Sequence, residues 1–153
     1  MTTIPAEWQP HKAIWTGWPS AADLWGEDLE PARAEVAAMI RALWDEGRGE
    51  KVRVLAHGRE AEATAKLALG PAADVQSGAF GDIWFRDTGP IFTRDGKALG
   101  FQFNGWGGKY VLPHDDEVGA RIALLAKAEY KRHDFILEGG AIELDGEGTL
   151  LTT

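Results

Sequence analysis

Two periods of apolar recurrence alternate along this chain, and the points where one gives way to the other mark its elements. "KAIWTGWP" (12–19) has the aromatic and β-branched content of a short strand ending at proline. In "EDLEPARAEVAAMIRALWDEG" (27–47), Ala32, Val36, Met39, Ile40 and Leu43 recur at helical spacing. Asp28 suits the cap of that helix, Pro31 its first turn and Gly47 the position past its end. Trp44 falls on the same amphipathic helix and reads as a packing residue. "KVRVLAH" (51–57) alternates as a strand, and "REAEATAKLAL" (59–69) reads as a second, weaker helix. Strands near 74–77 and 82–85 follow.

"PIFTRDGKALGFQFN" (90–104) predicts a hairpin, with Asp95-Gly96 as a two-residue turn between apolar segments. A helix around 115–129 buries Val118, Ile122 and Leu125, with Asp115 and Asp116 favouring its start. Strands near 133–137, 140–145 and 148–152 finish the chain, the last two joined at "DGEG". Interleaved helices and strands give an α/β class. The glycine cluster "NGWGGKY" lacks the spacing of a Rossmann or P-loop fingerprint.

Composition narrows the function. The 153 residues fit one domain, and 44% hydrophobic with 26% charged content is ordinary for a globular chain. A formal net charge of −8 argues against nucleic acid and against an anionic membrane surface. No apolar run approaches the ~18 residues of a membrane span, and the start lacks a signal-peptide pattern, so a cytoplasmic location is expected. With no cysteine, the chain has neither disulfides nor thiolate chemistry of its own. His11, His57, His114 and His133 fall in no metal-ligand spacing.

Three stretches combine turn residues with chemistry: "IWFRDTGPIF" (83–92), "FNGWGGKY" (103–110) and "ILEGGAIELDGEGTLLTT" (136–153). Asp87 precedes Thr-Gly-Pro and Glu138 precedes Gly-Gly, each expected at a strand's end facing a cavity. Trp84 and Trp106 lie close to them in sequence. Carboxylates beside aromatic faces suit a guanidinium, which is planar, cationic and rich in donors. Plainer readings stand beside this one. Asp87 pairs with Arg86 or caps a turn, Glu138 is an exposed turn residue, and most of the seven tryptophans are core.

These blocks, together with "EWQPHKAIWTGWP" and in this order, resemble the N-terminal half of the agmatine deiminases. The wider group is the bacterial-type peptidyl-arginine deiminases of the guanidino-group-modifying superfamily. The resemblance implies a five-bladed α/β propeller of ββαβ-type modules, of which two to three would be present. Residues 1–153 would be the N-terminal part of that single domain. It implies hydrolysis of a guanidine to a ureido group and ammonia, with no metal or organic cofactor. A cysteine thiolate forms a covalent adduct and a histidine moves the protons. By motif, Asp87 and Glu138 take the catalytic, guanidinium-holding places, while Trp84 and Trp106 join them in binding substrate. Arg86 would orient the loop.

The family's cysteine and its His-x-Asp motif lie beyond the matched region, and His133-Asp134 does not replace them. This chain alone is therefore expected to be inactive and to be a fragment of a longer enzyme. The expected partner is a small cationic guanidino substrate, with a homo-oligomer or a missing C-terminal half left open. Agmatine converted to N-carbamoylputrescine, toward putrescine, is the leading reaction. Deimination of free or peptidyl arginine is the alternative within the family. An inactive guanidine-binding module and a tryptophan-rich carbohydrate-binding domain are the alternatives outside it.

Overall fold

The computed structural model describes residues 3–152, and its packing divides them into two compact units, one spanning His11–Ile83 and the other combining the chain's start with Trp84 onward. The first unit holds a parallel sheet of β1 (Ile14–Gly17), β2 (Val52–Ala56) and β3 (Asp74–Ser77), in that spatial order. Parallel neighbours need crossovers, here supplied by α1 (Leu29–Trp44) and α2 (Arg59–Leu69). Val52, Val54 and Ala56 share one strand face and pack with Val36, Ala37 and Ile40 of α1 and Ala61, Ala65 and Leu69 of α2.

Helix α1 begins after Asp28 without a side-chain capping bond and ends where Asp45 turns left-handed (φ 44°), so Gly47 lies beyond its stop. Its buried face is Arg33, Val36, Ala37 and Ile40, with Leu43 and Trp44 packed partly against the core. Met39, expected inside, is 45% exposed. The stripe is rotated toward Arg33, which is 4% exposed and donates from Nε to Pro19 O at 3.0 Å. Its two Nη atoms also meet the Glu60 carboxylate of α2 at 2.8 Å each. Periodicity places apolar residues inside; it has no means of placing a buried cation whose partner sits on another helix.

The second unit carries β4 (Ile91–Phe92) antiparallel to β5 (Lys97–Gln102), which in turn pairs in parallel with β6 (Glu129–Ile136). The crossover is α3 (Val118–Ala126), entered through a 3-10 turn at Asp115–Glu117, with Val118, Ile122 and Ala123 buried. The β4–β5 hairpin is not closed by a two-residue turn. Thr93 N donates to Lys97 O at 2.9 Å, leaving three residues at the tip, with Gly96 at φ 81°. β6 begins four residues earlier than its apolar stretch suggests. β7 (Ile142–Leu144) and β8 (Leu150–Thr152) form a separate hairpin around "DGEG". Asp145 Oδ1 caps that turn, accepting from the amides of Glu147, Gly148 and Thr149 at 2.7, 3.1 and 3.0 Å. The final block "GTLLTT" ends at Thr153, which lies outside the described residues.

The expected strand at 82–85 is absent: residues 81–83 bend, and Phe85–Thr88 form a single helical turn. Among the described residues, no helix is long and apolar enough to cross a membrane.

Arg33 holds the Glu60 carboxyl below its ordinary value of 4.5, chiefly by hydrogen bonding. The stabilisation from this pair is therefore complete above that value and is lost as pH falls through the lowered one. Glu60 is largely exposed, so Glu60→Gln should cost only about 1 kcal/mol near neutrality. Urea unfolding at several pH values should show that difference shrinking below about pH 4.

Candidate functional site

From Trp84 the backbone makes a helical turn, and this sets where Arg86 and Asp87 go. Trp84 O accepts from Asp87 N (3.0 Å) and Thr88 N (3.2 Å), and Gly89 N closes on Phe85 O (2.9 Å). One helical turn buries Phe85 and Thr88 and leaves Arg86 and Asp87 to point elsewhere. Helical spacing sends consecutive side chains in different directions, and here they take different partners.

Arg86 does not pair with Asp87. Its Nη1 meets Glu7, and its Nη2 meets Glu143 of β7 at 3.1 Å, with Ile142 O at 3.5 Å. The guanidinium thus ties the segment near the chain's start, the 85–88 turn and β7. Its charge is met by two carboxylates, and Asp87's is not spent on it.

Asp87 is held by neutral donors. Gly140 N donates to Oδ1 at 3.0 Å, and Trp106 Nε1 donates to Oδ2 at 3.1 Å. The "EGG" block is therefore brought to Asp87 through its backbone. Glu138 O accepts from Ala141 N (2.9 Å), closing a 3-10 turn over Gly139–Ala141 that aims the Gly140 amide. Both glycines are required by close approach: a Cβ on Gly139 would run into Arg86 O, and one on Gly140 into Asp87 Oδ1. The Glu138 side chain is half-buried, with no protein hydrogen-bond partner among the described residues. Trp84, adjacent to the turn, has its side chain 54% exposed.

Trp106 sits in a turn whose four residues all have positive φ: Gly105 68°, Trp106 54°, Gly107 74° and Gly108 83°. Asn104 fixes that turn, its Oδ1 accepting from Gly107 N and its carbonyl from Gly108 N, both at 2.9 Å. For a bulky residue, a left-handed backbone costs about 1–3 kcal/mol, comparable to the ~1.5–3 kcal/mol of a hydrogen bond to a charged group. The indole bond alone barely offsets that cost. Near-perpendicular contacts with Phe103 (4.9 Å) and Tyr110 (6.3 Å) supply the rest.

Of the residues singled out from sequence, Asp87 and Trp106 are in direct contact, and Glu138 joins them through its turn. Trp84 is linked through its carbonyl. Glu7, Glu143 and the Gly140 amide carry no local sequence signal of this kind; the double glycine after an acidic residue is the nearest hint. The histidines disperse: His11 faces Glu50, His114 faces Glu117, and His133 stacks on Phe101. Among the described residues, no three His, Cys, Asp or Glu side chains cluster to hold a metal.

The profile of the Porphyromonas-type peptidyl-arginine deiminases matches residues 3–153. The agmatine deiminase of Pseudomonas aeruginosa (strain LESB58) is 40% identical over 161 residues, covering 98% of this chain and 43% of that protein. That of Stutzerimonas stutzeri is 38% identical over 160 residues, with the same two coverages of 98% and 43%. Among solved structures, the Enterococcus faecalis agmatine deiminase superposes with a TM-score of 0.89 at 27% identity, over 99% of this chain and 43% of that one. A substrate-bound agmatine deiminase of C. jejuni gives 0.87 at 29% identity, over 99% and 45%. The chain thus spans less than half the length of these relatives.

The packing at Gly140 yields a direct expectation. Gly140→Ala should cost about 1–3 kcal/mol in urea unfolding, as overpacking does where backbone faces a fixed group. An unchanged midpoint would mean that Asp87 is not clamped there.

Proposed function

Because the chain belongs to the Porphyromonas-type peptidyl-arginine deiminase family, we propose that it forms the guanidinium-holding part of an agmatine deiminase. In the complete enzyme, agmatine and water would give N-carbamoylputrescine and ammonia, a step toward putrescine. The observation that carries this reading is the state of Asp87. Each of its oxygens accepts one neutral donor, and the neighbouring cation, Arg86, is engaged by other carboxylates. An ionised carboxylate has about four lone-pair sites, so one remains on each oxygen. That pair of sites matches the parallel N–H donors along an edge of a guanidinium.

In this reading Asp87 and Glu138 grip the guanidinium and keep its carbon electrophilic, while Trp84 covers the substrate and Trp106 walls the site beside Asp87. Rigid holding supplies orientation and charge complementarity, the two largest contributions available without a nucleophile. The covalent step needs a thiolate, and no cysteine occurs in the 153 residues. The thiolate would come from further sequence or a second polypeptide. It would attack the guanidinium carbon and form a C–S bond; the C–N bond then breaks and ammonia leaves, carrying a proton delivered by a histidine. Water would hydrolyse the adduct to the ureido product and return the thiol. The β4–β5–α3–β6 succession would be one ββαβ module of a five-bladed propeller in the cytoplasm. Two to three modules would lie within residues 1–153, as the N-terminal part of a single domain, completed by a C-terminal half or accompanied by a second copy.

Agmatine is favoured over arginine because the relatives at 38–40% identity carry that name. Isothermal titration of the chain should give a saturable isotherm with agmatine, weakened roughly tenfold or more by Asp87→Asn. Tighter binding of arginine or an arginyl peptide would shift the substrate within the family. Sugar binding without guanidine binding would remove the deiminase reading, and equal affinity in Asp87→Asn would remove Asp87 from its role.

A further inference from the structure

Three of the four residues in the left-handed turn 105–108 are glycine, for which positive φ carries no steric cost. The fourth is tryptophan, the bulkiest side chain available. Glycine at 106 would relieve the backbone, so the indole must contribute something that glycine cannot. Hydrophobic filling alone would be met by phenylalanine, which differs by lacking an N–H. The structure directs that N–H at Asp87 Oδ2, 3.1 Å away. Phe103 and Tyr110 stand nearly perpendicular to the ring, at 89° and 79°, and fix its plane.

We propose that Trp106 is a positioning residue: its indole N–H, rather than its ring face, sets the orientation of the Asp87 carboxylate, and the left-handed turn 105–108 serves to aim it. This rests on the guanidinium-binding reading above and deepens it. A carboxylate held at one oxygen can still swing about its Cβ–Cγ bond. The Gly140 amide on Oδ1 and the indole on Oδ2 together remove that freedom. The remaining lone pairs then lie in one fixed plane before a planar ligand arrives, so less ordering is needed on binding. The donors are neutral, so they hold the carboxylate without competing for its charge. Asn104 and the three glycines are the local sequence devices that make the turn.

The test removes the N–H and keeps the ring. Trp106→Phe is one way; incorporation of benzothienylalanine at 106, which has sulfur in place of N–H and nearly the indole's shape, is the control should the phenylalanine variant fail to fold. Two readouts are taken on the 153-residue chain. In the first, the indole cross-peak lost from the proton–nitrogen spectrum in Trp106→Phe identifies Trp106. That peak should move upfield in Asp87→Asn, where the acceptor loses its charge. In the second, both chains lacking the N–H should bind agmatine about tenfold more weakly than wild type. Wild-type affinity in the benzothienylalanine chain, or a Trp106 peak indifferent to Asp87→Asn, overturns the proposal. If the wild-type chain binds no agmatine, the functional reading falls, and the cross-peak comparison still decides whether Trp106 holds Asp87.

Discussion

A single carboxylate, Asp87, is the point on which the second unit converges. It receives one donor from the 105–108 turn and one from the 139–141 turn, and it rises from a third, the 85–88 turn. Asn104 closes the 105–108 turn, and backbone bonds to Trp84 O, Phe85 O and Glu138 O close the other two. Asp87 joins the three, helped by the close backbone approach that Gly139 and Gly140 allow. Neighbouring Arg86 performs a parallel task with opposite sign, gathering Glu7 and Glu143. Two adjacent residues on one helical turn thereby organise segments from both ends of the sequence.

The separation of these two charges bears on the proposed function. Had Arg86 paired with Asp87, the carboxylate would be neutralised locally, and a cationic ligand would have to displace an ion pair. With the arginine engaged elsewhere and neutral donors on Asp87, the negative charge remains available while its geometry is fixed. This is the economy expected of a site that binds a cation by preorganisation rather than by mere accumulation of acid. The overall charge of −8 adds a long-range field of the same sign, which screening by salt confines to short distances.

Much of the first unit was legible because its helices are long enough to show a period. The 59–69 stretch is helical over the same residues its pattern marks. The face of α1 was misplaced by about one position because a buried arginine with a partner 27 residues away breaks the apolar rule. The 82–85 stretch was misread for a different reason. Ile83, Trp84 and Phe85 have strand-like composition, and a helical turn of four residues is too short to show a period. For the candidate site, residue types and neighbouring turn residues singled out Asp87, Glu138, Trp84 and Trp106 but left plainer readings open, and the family resemblance supplied their proposed roles. The bonds that join them span 19 and 53 positions, and Arg86 reaches 79 and 57. No local pattern encodes such pairings; only the folded backbone brings them together.

The most direct measurement is a crystal structure of this chain grown with agmatine. Guanidinium nitrogens within about 3 Å of both the Asp87 and Glu138 carboxylates are expected, with Trp106 Nε1 and Gly140 N still on Asp87. Agmatine bound elsewhere, or an Asp87 turned onto Arg86 with its two donors released, would contradict the central claim.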